Sequence, residues 1–217
     1  MVTLHYQMES METSWRKYHW ENIYQTKQLC EVSWYEQVPE TSLQLIEETG
    51  IEKNAAIIDV GGGDSLLVDH LLQRGYKNIT VLDISAAALE RAKKRLGKDS
   101  EKVKWIEADA AKFNPTEKYD LWHDRAAFHF LTDEIDINNY IHTATNNVNP
   151  GGTVIIGTFS DGGPKKCSGI EIKQYSAQTL CEKFNVGFEK IKCFNVQHTT
   201  PFNTVQEFVF CVFKLYR

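Results

Sequence analysis

Ala55-Ala56-Ile57-Ile58-Asp59-Val60-Gly61-Gly62-Gly63-Asp64-Ser65 is the stretch on which the fold turns. The run from Ala55 to Val60 is apolar apart from Asp59 and ends in glycines, the pattern of a strand buried inside a sheet. Residues 65–74 follow with Leu67, Val68, Leu71 and Leu72 at helical spacing, and Gly75 closes the segment. A strand that passes through glycines into a helix is the place where an α/β sheet meets a nucleotide-type ligand. Glycines let the backbone pass close to such a ligand, and the first helical turn offers N–H groups with no intrahelical partner. A plain structural turn uses the same glycines, so the loop is read together with its neighbours.

Working outward, the alternation continues. Ile79 to Asp83 reads as a second strand, and Ser85 can cap a helix that runs through Leu96 to Gly97. Val103 to Glu107 and Tyr119 to His123 read as the third and fourth strands. Ile137 to Val148 reads as a helix ending in the turn Asn149-Pro150-Gly151-Gly152, and Thr153 to Thr158 as the fifth strand. After a loop at 159–173 come a helix (Ser176 to Phe184) and two strands (Phe188 to Val196, Val205 to Phe213). Strands alternating with helices predict a mostly parallel sheet with helices on both faces. Only a loop separates the last two strands, so they pair antiparallel. The expectation is an α/β fold with a seven-stranded, mostly parallel sheet and an antiparallel last strand.

Upstream, Thr41 to Glu48 reads as a helix stopped at Gly50. Residues 1–40 are dense in aromatics (Tyr6, Trp15, Tyr18, Trp20, Tyr24, Trp34, Tyr35) and are taken as a cap of short helices and loops within the same domain as residues 41–217. A chain of 217 residues fits one domain, and a composition 42% hydrophobic and 24% charged argues against disorder. Net charge is −5. That disfavours a nucleic-acid partner, which asks for a basic face.

Cys30, Cys167, Cys181, Cys193 and Cys211 are odd in number, widely spread and without a CxxC pair. This argues against a disulfide framework and against a zinc site, and so for no metal and a reducing cytoplasm. The stretch Met1 to Trp20 is polar and aromatic, unlike a signal peptide. No apolar run approaches the roughly 20 residues of a membrane helix.

Two acids extend the glycine signal. Asp83 ends the second strand, where a carboxylate can accept from both hydroxyls of a ribose; an N-cap beside Ser85 is the plainer alternative. Asp109, in Glu107-Ala108-Asp109-Ala110 after the third strand, can accept from the exocyclic amine of adenine or can be a solvated loop acid. A nicotinamide-dependent dehydrogenase shares the first strand–helix–strand unit. However, Gly61-x-Gly63-x-Ser65 is not G-x-G-x-x-G, and the antiparallel sheet end does not suit that fold.

Together these features resemble the class I S-adenosylmethionine-dependent methyltransferases over most of residues 19–214, with a type 11/12-like domain. The glycine motif of that family departs here only in its last place, which holds Ser65. The resemblance implies a Rossmann-like fold and S-adenosylmethionine as cofactor. It implies that Asp59, Gly61, Gly62 and Gly63 hold the methionine part, Asp83 and Ile84 the ribose, and Asp109 and Ala110 the adenine. The segment Leu121-Trp122-His123-Asp124-Arg125-Ala126-Ala127-Phe128-His129 is similar to that of thiopurine and related S-methyltransferases, and to an Asp-Lys segment of elongation-factor lysine methyltransferases. By that match His123 and Asp124 stand at the methyl-transfer mouth and Arg125 beside the cofactor or acceptor; His123 as a strand-end bystander stays open. His129, between Phe128 and Phe130, reads as packing. Trp20-Glu21-Asn22-Ile23-Tyr24 and Ser33-Trp34-Tyr35 resemble the front segment of both subfamilies. Trp20, Tyr24 and Trp34 are then expected over the cofactor, where a π-face suits a sulfonium; a simple hydrophobic cap is the alternative.

Methyl transfer from a sulfonium is an in-line displacement that needs positioning and no strong acid. A base matters only for an acceptor that arrives protonated. Short inserts favour a small-molecule acceptor, with a thiol fitting a nearby cation such as Arg125. A protein lysine is the alternative acceptor, and a non-catalytic cofactor-binding protein a further one. Asn-Pro-Pro-Tyr is absent after the fourth strand, which disfavours DNA adenine and glutamine acceptors. Cys167, in the loop after strand five, and Gln197-His198-Thr199-Thr200-Pro201 are further contact candidates, though a bystander thiol and a hairpin-end loop are the plainer readings.

Overall fold

A computed structural model describes residues 15–216; Tyr6 and the rest of residues 1–14 of the aromatic cap lie outside the described residues. Its centre is β1 (Ala56–Val60), flanked in parallel by β2 (Asn78–Asp83) and β4 (Tyr119–Arg125). β3 (Val103–Glu107) adds to β2, and β5 (Val148–Phe159) to β4, also in parallel. β9 (Val205–Leu215) runs antiparallel between β5 and β8 (Phe188–Thr199). The seven strands lie in the order β3-β2-β1-β4-β5-β9-β8. The chain thus leaves β1 toward one edge and returns at β4 on the other side, which makes a switch point between β1 and β4.

Both faces of the sheet are covered, so consecutive β1 residues Ile57 and Ile58 are each fully buried, one in each core layer. One layer takes Leu43 and Ile46 of α2 (Glu40–Glu48), Leu67, Val68 and Leu71 of α3 (Leu67–Gln73) and Leu89 of α4 (Ala86–Leu96). The other takes Ile137, Tyr140 and Ala144 of α5 (Glu134–Asn147) and Leu180 of α6 (Ala177–Lys183). Helix starts follow local chemistry. The Ser85 hydroxyl accepts from Ala88 N to cap α4, and Asp133 accepts from Ile135 N to start α5 earlier than its apolar pattern implies.

Several details add to the sequence expectation or depart from it. The cap contains α1, helical through residues 15–26, and a short 3-10 turn at Leu29–Glu31. The 159–173 loop folds into a hairpin of β6 (Lys166–Cys167) and β7 (Ile170–Glu171). Its two turn residues, Ser168 and Gly169, both have positive φ, the backbone of a tight hairpin turn. The expectation of no disulfide is overturned: Cys193 on β8 and Cys211 on β9 are directly opposite in the antiparallel register and are bonded. Spacing rules miss this pair because a long hairpin, not a short motif, brings the two together. Among the described residues no helix is long and apolar enough to cross a membrane.

Candidate active site

Parallel strands bring the loops after β1, β2, β3 and β4 to one edge of the sheet, and the glycine loop lies there. Gly61 N and Gly62 N both donate to Leu82 O, at 2.8 and 3.1 Å, and Ser65 N donates to Gly62 O at 2.8 Å. The loop is too tight for side chains. A Cβ on Gly61 would lie 2.4 Å from Ala127 Cβ, and one on Gly63 2.6 Å from Asp83 Oδ2; both residues also have positive φ. From outside, α4 holds the loop. Arg91 pairs with Asp64 at 2.9 Å, and Arg95 bonds Asp64, Asp69 (2.8 Å) and Ser65 O (2.9 Å). These arginines were not singled out from the sequence, since only the tertiary packing of α4 aims them at the loop.

The cleft beside this loop has about 720 Å³ of empty space and is lined by Trp20, Tyr24, Trp34, Gly61, Asp83, Ile84, Asp109, Ala110 and Arg125 among others. A second recess adjoins it across Tyr24 and Trp34, and Asp59, Gly62 and His123 line that one. Gly63 lines neither but lies against Asp83. Asp83 is 5% exposed, and its Oδ1 accepts from Ser85 N at 2.8 Å. Burial, with Asp59 and Glu21 adding repulsion, pushes its carboxyl up to about 7. Asp109 Oδ1 accepts from Ala111 N at 3.0 Å, while its Oδ2 is buried without a hydrogen-bond partner. Arg16 stands 3.7 Å from that oxygen and bonds Asp136 at 2.5 Å.

α1 closes one side of the cleft. Trp20 meets Phe130 and Trp34 edge-on, at 4.8 and 5.7 Å between ring centres. The Glu21 carboxylate accepts from Ala86 N at 2.6 Å and from Ala87 N at 3.2 Å, so it caps α4 from a distant element. Arg91 in turn donates to Tyr24 O and Lys27 O at the end of α1, at 2.9 and 2.6 Å. Lys17 pairs with Glu107. Sequence reasoning gave no role to Glu21, quoted only within an aromatic segment, or to Arg16, because both act on loops far along the chain.

The three adjacent residues His123, Asp124 and Arg125 do not act as one group. His123 is 2% exposed; its Nδ1 is 2.7 Å from Asp59 Oδ1 and its Nε2 2.9 Å from Ser42 Oγ. Asp124 is not at the mouth as expected but fully buried. Its Oδ1 accepts from Ala127 N and Phe128 N at 3.0 and 3.1 Å, and its Oδ2 from Tyr140 OH at 2.7 Å. It thereby fixes the turn in which Ala126 adopts φ +67°. Arg125 does line the cleft. It donates to Trp34 O at 3.0 Å, pairs with Glu36 at 3.0 Å and lies 5.0 Å over the Phe208 ring.

Burial would raise the Glu36 carboxyl, but His198 (3.3 Å) and Arg125 outweigh it and hold the group below its usual range. His198 also contacts Ser33 O at 2.7 Å, so the β8–β9 hairpin end is tied to the cap. His129 stacks on Phe159, and burial, aided by Arg125, lowers it to about 3; it is neutral packing. Cys167 lines the cleft with its thiol pushed up to about 11 by burial.

This donor set fits an adenosyl group. Asp83 and Asp109 Oδ2, which accepts no hydrogen bond, are acceptors on one cleft, suited to ribose hydroxyls and an exocyclic amine, and Trp20, Tyr24 and Trp34 supply π-faces. Residues 57–152 match the family model of a methyltransferase domain. The chain is 33% identical over 113 residues to malonyl-[acyl-carrier protein] O-methyltransferase 1 of Ilyobacter polytropus, covering 52% of this chain and 41% of that one. It spans less than half the length of the first curated relatives it matches.

Two solved structures share the fold. One, described as the conversion of a disulfide bond into a thioacetal group during echinomycin biosynthesis, has a TM-score of 0.74 at 19% identity, covering 91% of both chains. The other, N-methyltransferase NodS from Bradyrhizobium japonicum WM9 in complex with S-adenosyl-L-homocysteine, has a TM-score of 0.64 at 18% identity, covering 84% of this chain and 90% of that one. With the glycine loop, the two acids and the sheet order in place, the chain carries a methyltransferase domain over residues 57–152 and has the fold of the class I S-adenosylmethionine-dependent methyltransferases, a family whose cofactor is S-adenosylmethionine.

Proposed function

We propose that this chain is an active methyltransferase whose acceptor is a small molecule that reaches the cleft as a ready nucleophile, a thiol being the best fit. When bound, S-adenosylmethionine supplies an activated methyl group on a sulfonium. Asp83 would hold the ribose hydroxyls, Asp109 the adenine amine, and the recess of Asp59, Gly61 and Gly62 the methionine part. Trp20, Tyr24 and Trp34 exclude water and offer aromatic faces to the positive charge.

One observation carries the acceptor reading. Beside the cleft lined by Trp34, Arg125, Phe130 and Cys167, three groups that could serve as a base already have partners: His123 is bonded at both nitrogens, Asp124 is enclosed, and Glu36 faces Arg125 and His198. An ammonium acceptor such as lysine must lose a proton before it attacks. A thiol ionises near 8.5 and needs less help.

The test is turnover of methyl-labelled cofactor with a cell extract, sorted into protein and small-molecule fractions, then with a panel of thiols and amines. Label in the small-molecule fraction, and faster transfer to thiols than to amines of like size, is the expected result. Label confined to protein would replace this reading with the lysine one. Cofactor binding without any turnover would make the chain a binder only.

A further inference from the structure

Three sulfurs meet on the face of the sheet covered by α6, among side chains the methyl-transfer chemistry does not use. Cys193 and Cys211 are bonded across β8 and β9, and the Cys181 sulfur of α6 stands 3.5 Å from that of Cys193. All three sulfurs lie within 4.8 Å of one another. Cys211 is fully buried, whereas Cys193 and Cys181 are part-exposed. Cys193 is therefore the shared sulfur, bonded to one neighbour and in contact with the other. The surroundings are apolar, with Phe184, Phe188 and Phe213 in the same core layer. Lys190 and Glu182 are the charged groups that act on Cys181, and burial raises its thiol. Such a site disfavours adjacent thiolates, so its cysteines rest as neutral thiols or as a disulfide.

We propose that Cys181, Cys193 and Cys211 form a thiol–disulfide exchange site in which Cys181 and Cys211 compete for Cys193, with a low-molecular-weight disulfide as the external oxidant. From the reduced chain, the Cys193 thiolate attacks the small disulfide and expels one small thiolate. The Cys211 thiolate then attacks the mixed disulfide at Cys193 and expels the second, so two protein thiols are oxidised and one small disulfide is reduced. In the exchange step the Cys181 thiolate attacks Cys193. The Cys181–Cys193 bond forms, the Cys193–Cys211 bond breaks, and Cys211 leaves as a thiolate that takes up the proton Cys181 gave up. No net oxidation accompanies that step. Its effect is to move the covalent link from β8–β9 to α6–β8.

Trypsin distinguishes the two isomers. Cys193 and Cys211 lie in one tryptic peptide, residues 193–214, and Cys181 in another, residues 174–183. A Cys193–Cys211 bond stays within one peptide, while any bond from Cys181 joins two. The full chain is equilibrated with mixtures of oxidised and reduced glutathione, its free thiols are alkylated at low pH, and unreduced digests are weighed by mass spectrometry. The wild type is expected to show both the internal bond and the joined peptides. C181S should show only the internal bond, C211S only the joined peptides, and C193S neither. C211A serves if serine at that buried position unfolds the chain. Failure of the 211 variants to join the two peptides at any glutathione ratio overturns the proposal. So does stoichiometric zinc retention by the reduced chain with all three thiols shielded from alkylation, which would make the cluster a metal site.

Discussion

Asp83 is a carboxyl that burial has raised to about 7 at the place where a ribose should dock. Hydroxyl donors are best accepted by its ionised form, so a ribose bound there would pull the proton off. Cofactor affinity should therefore rise as pH increases through about 7. Calorimetry in buffers of different ionisation enthalpy should show proton release below that pH; no release and a flat affinity would remove Asp83 from the ribose site. Asp83→Ala should weaken cofactor binding about tenfold or more, equivalent to roughly 1.4 kcal/mol, with the fold intact by circular dichroism. Asp124 is a different kind of acid. Three donors converge on it, so Asp124→Ala should lower stability by about 3 kcal/mol or more in denaturant melts, because each buried donor left alone costs on the order of 1–3 kcal/mol. Retained stability with lost turnover would reinstate it as a catalytic group.

At the scale of elements, α1 is joined to the loops after β2 and β3. Glu21 reaches the α4 N-terminus just after Asp83, Lys17 reaches Glu107, and Arg16 reaches toward Asp109. Glu21→Gln should loosen the Asp83 loop. The expected result is a several-fold rise in cofactor Kd with a stability loss of only about 0.5–1 kcal/mol, the worth of a charge at a helix N-terminus. A stability loss with unchanged Kd would make Glu21 a helix cap and nothing more. Gly63→Ala is the opposing test, since its Cβ would meet Asp83 Oδ2 and its backbone is left-handed; binding and stability should both fall.

That the candidate site residues converge was legible along the chain, because in a parallel sheet the residues that end successive strands arrive at one edge. Gly61, Asp83 and Asp109 are such residues. How His123 and Asp124 are engaged was not legible, for a related reason. Successive residues of a strand face opposite sides, so on β4 His123 turns to Ser42 of α2 and Asp124 to Tyr140 of α5.

Over the whole molecule, two buried acids set a pH dependence. The folded chain keeps protons on Asp83 (about 7) and Asp124 (about 6) that the unfolded chain, near 4, has lost. The folded state thus binds more protons between about pH 4 and 7, and stability contributed by these groups falls as pH rises through that window. Tm of the cofactor-free protein should show this decline, and Asp83→Asn should flatten it. An unchanged slope in that variant would mean Asp83 is already ionised in the folded state.

What the sequence determined by itself is the alternation of strand and helix, the antiparallel end and the glycine turn. These rest on local rules: a period of two against 3.6, an apolar run bounded by glycine, and a cap residue at a helix start. Only the tertiary structure decided which polar groups are consumed. It enclosed Asp124, bonded His123 at both nitrogens, set Glu36 against Arg125, and placed Cys193, Cys211 and Cys181 together. Each of those depends on register and packing between elements distant along the chain, and no local pattern encodes which face of a strand meets which partner.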